Sequence, residues 1–162
     1  MYKYRRLTTE ELESLKDSFI RFLAAQSITG EDWVRIKKNE VDRANDLIDK
    51  YSDIVIEKTI HNVKILEQRT NRRIVFYEFL ADSARLIGVE FEVDIPLDLS
   101  GEFYWSQFVE VFNNEEYSAK ILSGEKKYLL GRSKEIFDVM EQGARIVQDE
   151  NIFNSMLKIL DN

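Results

Sequence analysis

The apolar residues of this chain change their spacing from a helical period to a strand period close to residue 62. Before that point Leu12, Leu15, Phe19, Phe22 and Leu23 recur at steps of three and four, which places them on one helical face. Thr8-Thr9-Glu10-Glu11 has the form of a capping box, so a helix is expected to begin there and to end near Ile28-Thr29-Gly30. Thr29 is positioned to cap a short second helix carrying Trp33 and Ile36. Residues 39–61 continue helically, with Val41, Ala44, Leu47, Ile48, Tyr51, Ile54 and Val55 expected inward. The first third therefore reads as a helical hairpin.

Beyond residue 62, Val63, Ile65 and Glu67 alternate with Lys64, Leu66 and Gln68, and residues 74–79 and 85–92 form two further β-rich runs. A three-stranded antiparallel meander in sequential order is expected, with residues 144–147 as a possible fourth strand. The single proline, Pro96, marks a loop or an edge, because its ring fixes φ and removes a donor. Residues 103–112 share Trp105, Phe108, Val109 and Phe112 on one helical face. Residues 133–142, stopped by Gly143, and 151–160 read as two more helices. The expected fold is α+β: an N-terminal helical hairpin packed on a small three- to four-stranded antiparallel sheet, with short C-terminal helices. A chain of 162 residues suits a single domain over 1–162, with a seam near 93–101.

Several chemistries are excluded by composition. The chain has no cysteine, hence no disulfide, thiolate zinc site or thiol nucleophile, which fits a cytoplasmic setting. Its net charge of −7 disfavours nucleic acid and anionic lipid as long-range partners. No apolar run reaches the length of a bilayer span, and the N-terminus lacks a signal-peptide pattern, so neither insertion nor export is expected. There is no phosphate-binding glycine loop, nucleophile elbow or His-Glu-x-x-His pattern, and no cofactor is expected.

Three groups of residues remain as candidates. Asp49, Asp53, Glu57 and His61 stand at four-residue steps on one helical stripe. Asp53, Glu57 and His61 are the candidate metal ligands or acid–base groups, and a solvated face is the simpler explanation of the same ladder. Arg69, Arg72 and Arg73 lie in a hairpin turn and are the candidate anion or nucleic-acid contacts, next to further basic runs at Lys3, Arg5 and Arg6 and at Lys126, Lys127, Arg132 and Lys134. The run Phe103-Tyr104-Trp105 cannot turn all its rings to one core, so Tyr104 and Trp105 are candidates for a partner-binding surface. Arg5 and Arg6 either join such a surface or pair internally with Glu67 or Asp53.

Lys3-Tyr4-Arg5-Arg6-Leu7-Thr8, Glu10-Glu11-Leu12, Phe22-Leu23 and Ile28-Thr29-Gly30-Glu31-Asp32-Trp33 resemble a family of short Bacteroidota proteins that form a domain of unknown function. The likeness continues through Ile48, Ser52-Asp53 and Leu66-Glu67-Gln68-Arg69, over residues 1–90. The resemblance implies a bacterial cytoplasmic origin and transfers no catalytic residue.

The expected function is a non-enzymatic protein-binding or regulatory module with a protein partner, an immunity-type inhibitor of a basic toxin being one form of it. The alternatives are an enzyme using Asp53, Glu57 and His61, or a nucleic-acid binder using Arg69, Arg72 and Arg73.

Overall fold

Two capping boxes start the helical part of the chain. The Thr8 side chain accepts from the amide of Glu11 at 3.2 Å while Glu11 accepts from the amide of Thr8 at 2.7 Å, and Thr29 and Asp32 repeat the exchange. The computed structural model describes residues 3–96 and 104–161. Contacts divide it into two compact units, Met1–His61 and Asn62–Asn162.

The first unit contains α1 (Thr9–Ser14), α2 (Lys16–Ala25), α3 (Gly30–Asn39) and α4 (Val41–His61). The expected first helix is broken at Leu15, and the expected hairpin is four helices. Helix α2 closes through Ser27, whose φ of 58° is left-handed. The Ser27 amide donates to Ala24 O and that of Ile28 to Leu23 O, the paired bonds of a Schellman ending. Leu23, Ile28, Ile36, Ala44 and Leu47 form the core, and the Phe19 ring packs edge-on against Trp33 at 5.3 Å and Tyr51 at 5.0 Å. Val41 and Ile54, expected inward, are exposed. The buried face of α4 passes from Ala44, Leu47 and Tyr51 to Ser52, Ile56 and Ile60, about a third of a turn further round, and leaves Ile54 outside it.

The second unit is built on a five-stranded antiparallel sheet in the order β4-β3-β2-β1-β5. Its strands are β1 (Ile65–Arg69), β2 (Arg73–Phe79), β3 (Ser83–Phe91), β4 (Ala119–Lys127) and β5 (Arg145–Ile146). Its helices are α5 (Tyr104–Phe112), α6 (Arg132–Glu141) and α7 (Glu150–Leu160). The α+β class and the sequential meander are as expected, but β4 was not foreseen. Registers Phe76↔Ile87 and Ile74↔Val89 put these side chains on one face with Ile65 and Phe91. Tyr104 and Phe108 of α5 and Phe153 and Met156 of α7 close over that face, with Phe91–Phe108 and Phe76–Phe153 ring contacts at 6.1 and 5.8 Å. Each large side chain so buried contributes about 1.5–3 kcal/mol. Leu66, Val75, Phe79 and Ala84, on the opposite face, are buried as well, so the middle strands are apolar on both sides. Pro96 is exposed, and Leu97 to Phe103, including the start expected for the aromatic helix, lie outside the described residues.

Gly88 lies opposite Val75, and a Cβ there would stand 2.4 Å from Ile74 O and 2.9 Å from Val75 Cα. Both neighbours are backbone and cannot yield without moving β2. Gly88→Ala is therefore expected to lower stability by about 2–3 kcal/mol, read as a shift in the urea midpoint. An unchanged midpoint would show that the strands are not held this close.

Candidate functional site

The acidic stripe of α4 binds the chain's own N-terminal segment. The two oxygens of Asp53 accept from the amides of Lys3 and Tyr4, both at 2.9 Å. Glu57 Oε2 accepts from Lys3 Nζ and from the Tyr4 hydroxyl, both at 2.5 Å. The Arg6 guanidinium forks onto Asp49 at 2.5 and 2.8 Å and reaches Asn45 Oδ1 at 3.0 Å, and the Leu7 amide donates to Ser52 Oγ at 3.1 Å. Arg5 forks onto Glu11 at 2.8 and 2.9 Å; that guanidinium, helped by the Thr8 amide, holds the Glu11 carboxyl down at about 2. Arg6 thus pairs with Asp49 and Arg5 with Glu11. His61 is exposed at the end of α4, and among the described residues no group of three His, Asp or Glu is placed to hold a metal ion.

Tyr104 is only 4% exposed. Its hydroxyl donates to the buried Glu67 at 2.7 Å, Arg69 contacts the other Glu67 oxygen at 2.6 Å, and the Arg69 guanidinium lies 3.7 Å above the Tyr104 ring centre. Burial, then the hydrogen bond to Glu67, hold the phenol far above its ordinary range, so it stays a donor. Trp105 is half-buried and packs on Phe108 at 5.0 Å between ring centres. Both rings of the aromatic run that lie among the described residues thus belong to the core face.

Thr70 and Asn71 turn the chain between β1 and β2, and the Thr70 hydroxyl accepts from the amides of Arg72 and Arg73. Arg72 donates to Glu92 O and lies 3.6 Å from Asp94, and Arg73 reaches Gln68 at 3.3 Å. The cleft lined by Arg72 and Lys120 also holds Glu90 and Glu92, so two carboxylates offset its two cations. Arg69, Arg72 and Arg73 each face a different partner and are not brought together over one anion.

The open surface of the second unit is β4. The ladder bond from the Glu92 amide to Ser118 O, at 3.0 Å, fixes the phase of the pairing. Lys120, Leu122, Gly124 and Lys126 exchange bonds with β3, while the amides and carbonyls of Ile121, Ser123 and Glu125 point outward. Among the described residues none of these outward groups has a backbone partner. Ile121 is 55% exposed, and β4 carries three lysines against one glutamate in a chain of net charge −7.

The strand is held firmly from behind. The Ser83 hydroxyl donates to Glu125 at 2.7 Å, and Lys126 pairs with Glu135 at 2.6 Å. The Lys126 contact, with the Leu129 amide at 2.7 Å, keeps the Glu135 carboxyl below its usual range. Tyr128 donates to Leu80 O at 2.9 Å, and Arg132 donates to Val63 O and Phe79 O. These bonds fix a turn on which Leu129 and Leu130 stand 89% and 70% exposed. Over the face opposite the α5 and α7 core lies an open groove of about 340 Å³, bordered by Tyr77, Ala84, Leu86, Gly124 and Lys126.

The edge escaped sequence reading because β4 is wet on both faces, so Ala119-Lys120-Ile121-Leu122-Ser123-Gly124 shows no apolar alternation. The signal that could have found it is the pair Leu129-Leu130 between two basic runs.

The model of a family of unknown function, DUF6495, matches residues 1–161, which extends the expected membership of a domain of unknown function well past residue 90. No curated protein and no solved structure matches the chain. No helix among the described residues is long and apolar enough to cross a membrane.

Asp53→Ala removes the acceptor of two successive amides. Lys3 and Tyr4 are expected to exchange their amide hydrogens at the rate of unstructured peptide, while the core of the first unit keeps its protection; continued protection of both amides would contradict the docking described here. Tyr104→Phe strips one donor from the buried Glu67 and is expected to cost about 1.5–3 kcal/mol in denaturant unfolding. A change near zero would mean that Glu67 is satisfied without the phenol.

Proposed function

We propose that this chain, which belongs to the family of unknown function DUF6495, is a non-enzymatic protein-binding module that pairs its β4 edge with an extended, carboxylate-bearing segment of another protein. The observation that carries this reading is the outward row of backbone groups at Ile121, Ser123 and Glu125. A free edge of this kind offers donors and acceptors in the spacing an added strand requires.

Charge selects the occupant. Lys120 and Lys126 project from one face of β4, and Lys127 from its end. Lysines on an edge oppose pairing with a second basic edge, including another copy of β4 in the registers that set lysine against lysine. They favour a strand with carboxylates opposite Lys126 and Lys120, six positions apart on one face. The local charge of β4 thus favours an acidic partner, whereas net charge alone suggested a basic one. A bacterial cytoplasmic setting belongs to the same proposal and rests on the resemblance of the first 90 residues. Leu129 and Leu130, on their pinned turn, extend the contact beyond the strand with exposed apolar surface.

Selection of a displayed library of random seven-residue peptides on the whole immobilised chain tests this. The expected result is enrichment of peptides with Asp or Glu at two positions six residues apart, which protect the amides of Ile121, Ser123 and Glu125 from exchange. Ser123→Pro removes one outward donor and leaves the inward ladder to β3 intact, so it is expected to abolish that binding while the chain stays folded. Enriched peptides that bind the Ser123→Pro chain equally well, or an absence of enrichment, would overturn the proposal. Edge protection that rises with protein concentration alone would replace the partner with a second copy.

A further inference from the structure

We infer that the groove beside Gly124 receives one large apolar side chain, aromatic by preference, from the strand that pairs with β4; this rests on the strand-pairing reading above. The two strand glycines of the sheet differ in what requires them. Gly88 is imposed by the backbone of β2, whereas a Cβ on Gly124 would meet nothing within 4 Å, and its φ lies outside the left-handed region. Glycine in mid-strand forfeits side-chain packing and ordered backbone entropy, and inside this chain nothing compensates for it at residue 124.

The compensation lies in the space the missing side chain leaves. The open groove of about 340 Å³ is lined by Gly124 together with Tyr77, Ala84 and Leu86, and by the charged Arg85, Glu125 and Lys126. An apolar cavity of about 150 Å³ is enough to take a benzene ring, so this one admits an aromatic side chain. In a strand added antiparallel to β4, the residue opposite Gly124 projects on the face of Tyr77 and Leu86, since Leu86 and Gly124 are themselves paired. A ring laid over a cross-strand glycine covers the exposed backbone, which stabilises such pairs in sheets. The register also fixes the neighbours: the partner residue two positions before the ring faces Lys126, and the residue four positions after it faces Lys120. The partner is thus read as acid, one residue, large apolar, three residues, acid.

Titration with the peptide Glu-Thr-Phe-Thr-Val-Val-Glu and with its counterpart carrying Ala in place of Phe tests this on the unaltered chain. The Phe peptide is expected to bind roughly tenfold more tightly or better, both peptides protecting the amides of Ile121, Ser123 and Glu125. Gly124→Val fills the groove with a residue that strands favour, and is expected to reduce the Phe peptide to the affinity of the Ala peptide while edge protection persists. Equal affinities on the unaltered chain, with the edge protected by both, would overturn the groove and leave strand pairing standing. Protection by neither would overturn both.

Discussion

The second unit depends on the two-sided pairing of β3. Alternate residues of that strand bond to β2 through registers such as Phe76↔Ile87, and those between them bond to β4 through Leu86↔Gly124. The approach on the β2 side is so close that only a glycine fits at residue 88. Because β2 is apolar on both faces, the sheet is anchored at its middle and grows steadily wetter toward β4. The edge that results is rigid along its inner side and open along its outer side, which is the condition for adding a strand without rearranging the receptor.

Charge is distributed unevenly over the chain. Much of the acidic and basic side-chain chemistry is taken up internally: Asp49, Asp53 and Glu57 by residues 3–6, Glu11 by Arg5, and Glu67 by Arg69 and Tyr104. The ion pairs of the N-terminal segment are partly exposed, so their value lies in fixing where the segment runs more than in stability. The buried Glu67 set has a different character: removing one member leaves a charge in the core, so it secures the position of α5 over β1. Strand β4 carries three lysines against one glutamate on this acidic chain, with Lys126 also paired to Glu135 and Lys120 sharing a cleft with Glu90 and Glu92.

Most elements were legible because they show one strong period or one local chemical exchange. Thr8 and Glu11, or Thr29 and Asp32, decide a helix start within four residues, and Gly143 ends α6 with a left-handed φ of 94°. The alternation over residues 63–68 and the β-rich run over 74–79 likewise marked β1 and β2. The candidate site was hidden for the opposite reason. Residues 119–127 bury neither face, so their strand state comes from hydrogen bonds to β3 and leaves no hydrophobic period. Tyr104 and Trp105 misled because an aromatic run was read as surplus to one face, whereas α5 lays both against the apolar sheet face and turns the Tyr104 hydroxyl inward to Glu67.

Sequence alone determined the α+β class, the capped starts of α1 and α3, the sequential meander and the absence of thiol chemistry, since each follows from local spacing or from composition. Tertiary structure decided which charges are consumed and which edge stays open. Those outcomes depend on partners about fifty residues apart, as with Lys3 and Asp53 or Tyr4 and Glu57, and on a strand defined only by its neighbour. Periodicity reports how a segment meets solvent, and it carries no information about which distant group will meet that segment.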